Sequence, residues 1–246
     1  MAEGPGLWRT DAIHSIVMYD HLSFQEFHDR VNIAASRHAG SVQWLDNGGA
    51  QVRIGDQHLP AICIVSGLHG DERSGPIAIL RLLERANLLL PVGYSLLVFP
   101  LVNDVGWNAR TREWSTLDLN RSFGLPHAPK FLQQIADEIA RSRPPGFLDL
   151  HEDSDTDFPY IFRYLRDDPE FALELQAELS ARDEWWDDNP GWAGASECHA
   201  RAHGSRVAAT LEAPPVWALE RRVEWNMKAV EVGIACMPRH LARVAR

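Results

Sequence analysis

Two histidines and one glutamate are the side chains of this 246-residue chain that could together hold a metal ion. His69 and Glu72 form an H-x-x-E pair, and His151 ends a later apolar run, FLDLH. A spacing of three in a tight turn lets an imidazole and a carboxylate point at one ion, and His151 would complete the set. Zinc takes such nitrogen and oxygen ligands, leaves a position open for water, and supports amide hydrolysis. The pair alone is weak evidence, because H-x-x-E often arises by chance in a chain with 11 histidines.

These side chains fall where predicted strands end. Four short, continuous apolar runs are typical of strands buried on both faces: 61–66, 94–99, 147–151 and 207–211. Helical periodicity before, between and after these runs predicts helices at 24–38, 75–89, 130–141 and 217–235. A further helix is predicted to begin at Pro169, with Asp168 as its cap. Ligands of open α/β sheets gather beyond the carboxyl ends of the strands, so the polar residues that follow these runs are expected to converge.

The alternation of strands and helices predicts an α/β fold with a mixed, mostly parallel sheet flanked by helices. Without repeats or strong linkers, residues 1–246 are expected to form a single domain. Its N-terminal helix and hairpin region spans 1–60, and its catalytic core spans 61–236. The segment 183–205 is predicted to be a long loop at the active site.

Three local signals mark element ends. Ser23 and Glu26 stand in the S-x-x-E relation of a capping box at the start of the first helix. Asn47 and the two glycines after it predict a hairpin turn between extended segments at 41–46 and 50–54. Ser74 is expected to cap the helix that follows the H-x-x-E pair.

Composition excludes several classes of protein. The chain has 24 Lys and Arg against 34 Asp and Glu, a net charge of −10, whereas nucleic-acid binding needs a basic face. No apolar run approaches the ~20 residues that span a bilayer. Three cysteines at unrelated spacings suggest neither a disulfide framework nor a thiolate cage. The N-terminus has no secretory signal pattern, so a cytoplasmic location is expected, with no nucleic-acid or membrane partner.

A second motif is more specific than the first. Asp118, Leu119, Asn120 and Arg121 give D-x-N-R after Glu72, and Glu212 follows the last predicted strand. The order H-x-x-E, a loop with arginines, D-x-N-R, strand-end histidine and glutamate resembles the M14 zinc carboxypeptidase superfamily. That superfamily includes the murein-peptide amidases and the succinylglutamate desuccinylase/aspartoacylase branch. The resemblance covers about residues 60–235, and its short spacings look most like the compact bacterial branches.

The resemblance implies a zinc site and a base. His69, Glu72 and His151 would bind one Zn²⁺ per chain. Glu212 would be the general base that takes a proton from zinc-activated water and returns it to the leaving amine. Asp118 would accept a hydrogen bond from His69 and hold the orientation of its ring.

The same resemblance implies a substrate-binding set. Arg112, or Arg110 in its place, would stabilise the oxyanion that develops on the scissile carbonyl. Asn120 and Arg121 would hold the substrate's terminal carboxylate. The loop lengths do not decide between the two candidate arginines.

The activity implied is that of a zinc-dependent metallocarboxypeptidase-like hydrolase of peptides or peptide-like amides. The alternative is an N-acyl amino acid deacylase of the desuccinylase or aspartoacylase type, and a non-catalytic binding module is a third reading. Carboxypeptidases of this superfamily commonly use a late tyrosine. Here either Tyr160 or Tyr164 would replace it, or the enzyme would work without that hydrogen-bond donor. Glu197, Asp187 and Asp188 hint at basic substrates. The oligomeric state stays open.

Overall fold

A computed structural model describes residues 18–164, 169–186 and 194–244 of the chain. Its strands are β1 Ser41–Trp44, β2 Ala50–Ile54, β3 Ala61–Ser66, β4 Ser95–Phe99, β5 Gly146–Glu152, β6 Tyr160–Tyr164, β7 Arg182–Trp186 and β8 Val207–Ala213. Its helices are α1 Phe24–Arg37, α2 Ser74–Glu84, α3 Asp104–Ala109, α4 Lys130–Ser142, α5 Pro169–Leu179, α6 Ser196–Ala202 and α7 Leu219–Val244. A 3₁₀ turn covers Leu119–Arg121. None of these helices combines the length and the apolar character needed to span a bilayer.

In the described ranges the strands form one sheet of eight, in the order β1-β2-β4-β3-β5-β8-β6-β7. The central strands β4, β3, β5 and β8 run parallel, while the β1–β2, β2–β4 and β8–β6 pairs are antiparallel. The mixed, mostly parallel α/β sheet predicted from the apolar runs is confirmed. The hairpin is part of this sheet, because β2 pairs directly with β4.

Helices cover both faces of the sheet because successive side chains of a buried strand point to opposite faces. Ile62 and Ile64 of β3 belong to the cluster beneath α1, α2, α5 and α7, whereas Cys63 and Val65 belong to the cluster beneath α4 and α6. The parallel strands β4, β3, β5 and β8 have their carboxyl ends along the same edge of the sheet, where their polar residues meet.

The structure corrects several element boundaries. Two strands, β6 and β7, have no counterpart in the predicted set, and the predicted loop 183–205 contains the end of β7 and all of α6. Residues 187–193 of that segment lie outside the described ranges. Helix α2 ends at Glu84, not near 89, and α7 continues to Val244 through Pro238, well beyond 235.

The local signals have mixed outcomes. Both hydrogen bonds of the capping box between Ser23 and Glu26 are present, and the hairpin turn forms as predicted. The predicted cap at Ser74 is wrong, because Ser74 lies inside α2 and the preceding Arg73 makes no side-chain cap bond. A carboxylate from a distant strand takes over: Glu152 Oε1 accepts from the Ser74 N–H at 2.7 Å. The predicted cap Asp168 lies outside the described residues.

Candidate metal centre and active site

The candidate ligands come from two strand ends. His69 and Glu72 lie in the turn between β3 and α2, and His151 lies near the end of the neighbouring β5. The turn packs tightly on α3, because a Cβ at Gly70 would sit 1.9 Å from the Gly106 carbonyl carbon. Only glycine fits there, so the backbone contact holds the turn in place.

His69, Glu72 and His151 form one buried cluster. Their candidate ligand atoms all lie within 4.8 Å of one another. Glu72 stands between the two rings, with Oε1 2.6 Å from His69 Nδ1 and Oε2 2.7 Å from His151 Nδ1. Two imidazole nitrogens and a carboxylate that converge in this way form the donor set that zinc takes in hydrolases. The residues present therefore fit a divalent metal ion.

The outward nitrogen of each ring contacts an acidic residue. Asp118 Oδ1 lies 3.1 Å from His69 Nε2, and Asp149 Oδ2 lies 3.0 Å from His151 Nε2. Ser196 donates its hydroxyl proton to the same oxygen of Asp149. Carboxylates in this position orient metal-binding rings and make them stronger ligands. The Asp118 contact is the one implied by the sequence, and Asp149 lies on the same face of β5 as His151.

Glu72 is held in its charged form. Burial by itself raises the pKa of this carboxyl group, but the His69 and His151 rings lower that pKa below its usual range. The pKa values of the His69 and His151 rings are raised in turn. Burial lowers the pKa of His69, yet Glu72 and Asp118 raise it overall, and for His151 Asp149 and Glu72 do the same. A metal ion would replace these shared protons, as ligand sites require.

Glu212 lies beside the cluster on β8. It is paired in register with His151 of β5 on one side and with Tyr160 of β6 on the other. Its Oε2 atom is buried and has no hydrogen-bond partner within the described residues. Burial, together with Glu72 and other nearby acids, raises the pKa of Glu212 well above its usual value. A buried carboxyl group with a free oxygen and a raised pKa is suited to accept and release protons.

The two candidate arginines lie in different places. Arg112 lines the cavity next to the ligands, and its Nη1 donates to Glu72 Oε1 at 3.0 Å, while its side chain stays 48% exposed. Arg110 points away and donates from Nη2 to Asp20 Oδ2 at 3.0 Å. The structure therefore does not bring Arg110 to the cavity, and of the two candidate arginines only Arg112 lines it.

Asn120 and Arg121 also line the cavity, from the 3₁₀ turn. Asp118 holds the turn by accepting from the Asn120 N–H at 2.8 Å. Asn120 in turn accepts from the Ser196 N–H at 2.9 Å, and its Nδ2 lies 3.3 Å from His151 Nε2. The D-x-N-R motif thus ties the turn to the ligands and presents a guanidinium group to the cavity.

The cavity has further lining residues besides the predicted ligands, base and substrate-binding set, and of these the sequence had singled out only Tyr160 and Glu197. The cavity holds about 260 Å³ and is also lined by Glu152, Asp153, Asp155, Tyr160, Phe162, Ala195, Ser196, Glu197 and Thr210. Alternation on strands could have found Thr210, because it precedes Glu212 by two residues on the same face of β8. Of the two candidate tyrosines, Tyr160 reaches the cavity and donates its hydroxyl proton to Asp153. The side chains of Tyr164, Asp187 and Asp188 lie outside the described part of the structure.

Sequence comparison assigns the family. Residues 58–182, about half of the chain, match the succinylglutamate desuccinylase/aspartoacylase catalytic domain. The chain belongs to this family. The matched residues of this desuccinylase/aspartoacylase domain include His69, Glu72 and His151 together with the whole D-x-N-R motif, whereas Glu212 lies beyond them. The placement in the M14-like superfamily is thereby confirmed. No curated protein matches the chain in sequence.

Solved structures share the fold of this family member. A Shewanella denitrificans protein, provisionally described as a metallopeptidase, is 24% identical, with a TM-score of 0.72 over 85% of this chain and 88% of that one. A Pseudomonas aeruginosa metallo-carboxypeptidase in complex with (2-guanidinoethylmercapto)succinic acid is 19% identical, with a TM-score of 0.70 over 89% and 70%. Bovine thrombin-activatable fibrinolysis inhibitor is 15% identical, with a TM-score of 0.72 over 92% and 99%. These similarities confirm a carboxypeptidase-like fold.

Proposed function

We propose that the protein is a zinc-dependent hydrolase that cleaves the amide bond of a small substrate whose released residue carries a free carboxylate. The observation that carries this proposal is the cluster of His69, Glu72 and His151 within 4.8 Å, with the unpartnered Oε2 of Glu212 next to it. A binding module would need neither a buried base nor its raised pKa, so this pairing favours catalysis.

His69, Glu72 and His151 would hold the ion. When bound, it would act as a Lewis acid on the scissile carbonyl and lower the pKa of water. Zinc is the ion that this set of nitrogen and oxygen donors suits. Asp118 and Asp149 fix the orientation of the two rings, so that the Nδ1 atoms face each other across Glu72.

Glu212 moves the proton in this proposal. Its free carboxylate oxygen accepts a proton from the attacking water, and the same oxygen returns the proton to the leaving amine. Burial raises the pKa of this carboxyl group, which favours the protonated form that returns the proton to the amine. Tyr160, paired in register with Glu212, lines the cavity beside it.

Two arginines have separate roles. Arg112, beside the ligand Glu72, would donate to the oxygen of the scissile carbonyl as negative charge develops on it. Arg121 and the amide of Asn120 would hold the carboxylate of the released amino acid, since a guanidinium fork matches that planar anion. Both arginines line the same cavity as the ligands.

The family favours an N-acyl amino acid as the substrate, because the domain it matches is that of desuccinylases and aspartoacylases. A cavity of about 260 Å³ suits a substrate of that size. A carboxypeptidase is the second candidate, favoured by the fold shared with metallo-carboxypeptidases. Both reactions break an amide bond next to a residue with a free carboxylate, so they can share the same machinery.

The test combines a substrate panel with one variant. Zinc-loaded protein is assayed on N-acetylated and N-succinylated amino acids and on dipeptides, with bound zinc measured by elemental analysis. We expect Glu212→Gln to retain zinc and to lose about 10³-fold in kcat, because the amide cannot accept the proton. Glu113→Gln, an exposed change outside the cavity, serves as the matched control. Full activity in Glu212→Gln would refute the proposed base.

A further inference from the structure

The candidate ligand Glu72 is held by a backbone group as well as by the two imidazole rings. The N–H of Glu152 donates to Glu72 Oε2 at 3.1 Å, and the same oxygen lies 2.7 Å from His151 Nδ1. Glu152 directly follows His151 and is the last residue of β5. The end of this strand therefore supplies one candidate ligand and a hydrogen-bond donor to another.

The side chain of Glu152 is anchored on the far side of the sheet from His151. Successive side chains of a strand alternate, so Glu152 shares the face of Leu148 and Leu150, which α2 and α7 cover. Its Oε1 accepts from the N–H of Ser74, the first residue of α2, at 2.7 Å, and its Oε2 accepts from Nη1 of Arg222 in α7. One buried carboxylate thus joins the end of β5 to two helices.

Helix α2 begins directly against β5. A Cβ at Gly75 would lie 3.0 Å from Leu150 Cβ. Asn226 of α7 is fully buried and donates from Nδ2 to Ser74 Oγ at 2.9 Å, so α7 contacts the start of α2 at a second point. The turn that carries Glu72, two residues before Ser74, is therefore tied to α7 through the first turn of α2.

The guanidinium group of Arg222 is committed to Glu152. Its side chain is 15% exposed, its buried Nε has no hydrogen-bond partner, and Glu152 is its only acceptor among the described residues. Arg73 also lies within electrostatic reach of Glu152, but its guanidinium is bound to Asp20 and to the carbonyl oxygen of Trp107. Removal of one partner of a buried ion pair leaves the other charge uncompensated. Arg73 could compensate for Arg222 only by leaving its own partners.

We propose that Glu152 and Arg222 are positioning residues for the metal site. Their ion pair fixes the end of β5, and the Glu152 N–H at that end holds Glu72 Oε2 in place for metal binding. This inference rests on the proposed function, because it takes Glu72 to be a metal ligand. Donors that orient a ligand raise metal affinity although they do not touch the ion. Arg222 thus acts on the metal site from α7, which lies outside the residues that match the family.

The experiment measures zinc affinity by competition with a chelator in wild type and in variants of Arg222. We expect Arg222→Met to bind zinc about tenfold more weakly or worse, as is typical when an outer partner of a ligand is lost. Arg222→Lys should recover most of this loss, because its ammonium group can still donate to Glu152. Arg221→Met removes the same charge at the neighbouring, exposed position of α7 and should leave the affinity unchanged.

The direction of the change separates positioning from charge. A guanidinium group that acted only through its positive charge would repel the ion, so its removal would strengthen zinc binding. Cobalt substitution gives a second readout, because the visible absorption bands of bound Co²⁺ respond to the geometry of its ligands. We expect these bands to shift in Arg222→Met and to keep their wild-type positions in Arg221→Met.

A second variant tests the same ion pair from its other side. If Arg222→Met fails to fold, as judged by urea unfolding of the metal-free protein, Glu152→Gln takes its place. An amide has one oxygen where the carboxylate has two, so the contact with either Ser74 or Arg222 is lost and zinc affinity should fall. Wild-type zinc affinity and cobalt bands in the variant that folds, or tighter zinc binding, would overturn the inference.

The two proposals fail differently. A wild type that binds zinc and hydrolyses no amide loses the proposed reaction, while the zinc affinities of the variants still decide whether the ion pair positions Glu72. An active wild type whose zinc affinity is the same in Arg222→Met keeps the hydrolase function and loses only the positioning role. A wild type that binds no zinc would refute both proposals.

Discussion

His28 is as buried as the candidate ligands His69 and His151, but its ring contacts a different kind of group. His28, in α1, is fully buried and contacts only backbone groups through its nitrogens: Nε2 lies 3.0 Å from the Leu101 carbonyl oxygen, and Nδ1 accepts from the Ala50 N–H at 3.2 Å. His69 and His151 are 2% and 3% exposed, and carboxylate oxygens lie near both nitrogens of each ring. Burial is the same in the two regions, but the partners differ.

The partners decide the charge of each ring. Burial lowers the pKa of His28 to about 4, because backbone dipoles cannot compensate for lost hydration, and the ring stays neutral. Carboxylates raise the pKa of His69 and His151 in spite of similar burial. A buried histidine therefore indicates a ligand site only where acidic groups converge on it. His28 instead joins α1 to the hairpin and to the segment after β4.

The largest expected effect separates the two groups by metal content. We expect His69→Ala to lose bound zinc and hydrolytic activity together, since two remaining ligands hold the ion poorly. His28→Gln should retain one zinc per chain and nearly full kcat, because this ring lies outside the cavity. Elemental analysis and a kinetic assay on both variants provide the measurement. Zinc loss in His28→Gln with the fold intact would contradict the comparison.

A smaller effect is expected in how the free energy of unfolding depends on pH. The imidazole of His28 has a pKa of about 4 when folded and about 6.5 when unfolded, so the unfolded chain binds more protons between these values. Stability from this group is fully present above pH 6.5 and is lost as the pH falls towards 4. Wild type should therefore lose about 3 kcal/mol more than His28→Gln over that range.

Urea unfolding of the metal-free proteins at several pH values measures this difference, with the exposed His58→Gln as control. His58→Gln should follow the wild-type curve. The same pH dependence in wild type and His28→Gln would show that His28 becomes protonated in the folded state, and the contrast with the site histidines would be wrong.

The smallest effect tests the outer partners of the ligands. Asp118→Asn should weaken zinc binding about 10- to 100-fold while leaving the three ligands in place, because the amide stabilises the ring of His69 less than a carboxylate does. Competition with a chelator measures the affinity. Asp56→Asn, at an exposed position, should not change it. An unchanged zinc affinity in Asp118→Asn would show that the contact between Asp118 and His69 does not strengthen metal binding.

Local signals were sufficient for much of the fold. Continuous apolar runs predicted the central strands, since strands covered on both faces have no polar side to show. The capping box at Ser23 formed as predicted because both of its hydrogen bonds lie within four residues. Strands β6 and β7 escaped prediction because their pairing is not local: β6 pairs with β8, which is distant in sequence, and the edge strand β7 pairs with β6.

The cap of α2 illustrates the same limit. A serine before a helical pattern predicts a side-chain cap, yet the N–H of Ser74 is bound by Glu152, which is 78 residues away. Arg110 and Arg112 were equivalent in sequence for a related reason. Only the position of Asp20 in the folded chain draws one guanidinium away from the cavity.

The amino-acid sequence by itself determined the chemical inventory of this protein: the two imidazoles, the carboxylates, the D-x-N-R turn and the apolar strands that carry them. Those features depend on residue type and on contacts between near neighbours, which can be read along the chain. Tertiary structure alone decided which nitrogen of each ring meets Glu72, which arginine lines the cavity, and that Glu197 and Thr210 line it as well. Each of these depends on groups that lie far apart in sequence and meet only when the sheet has assembled.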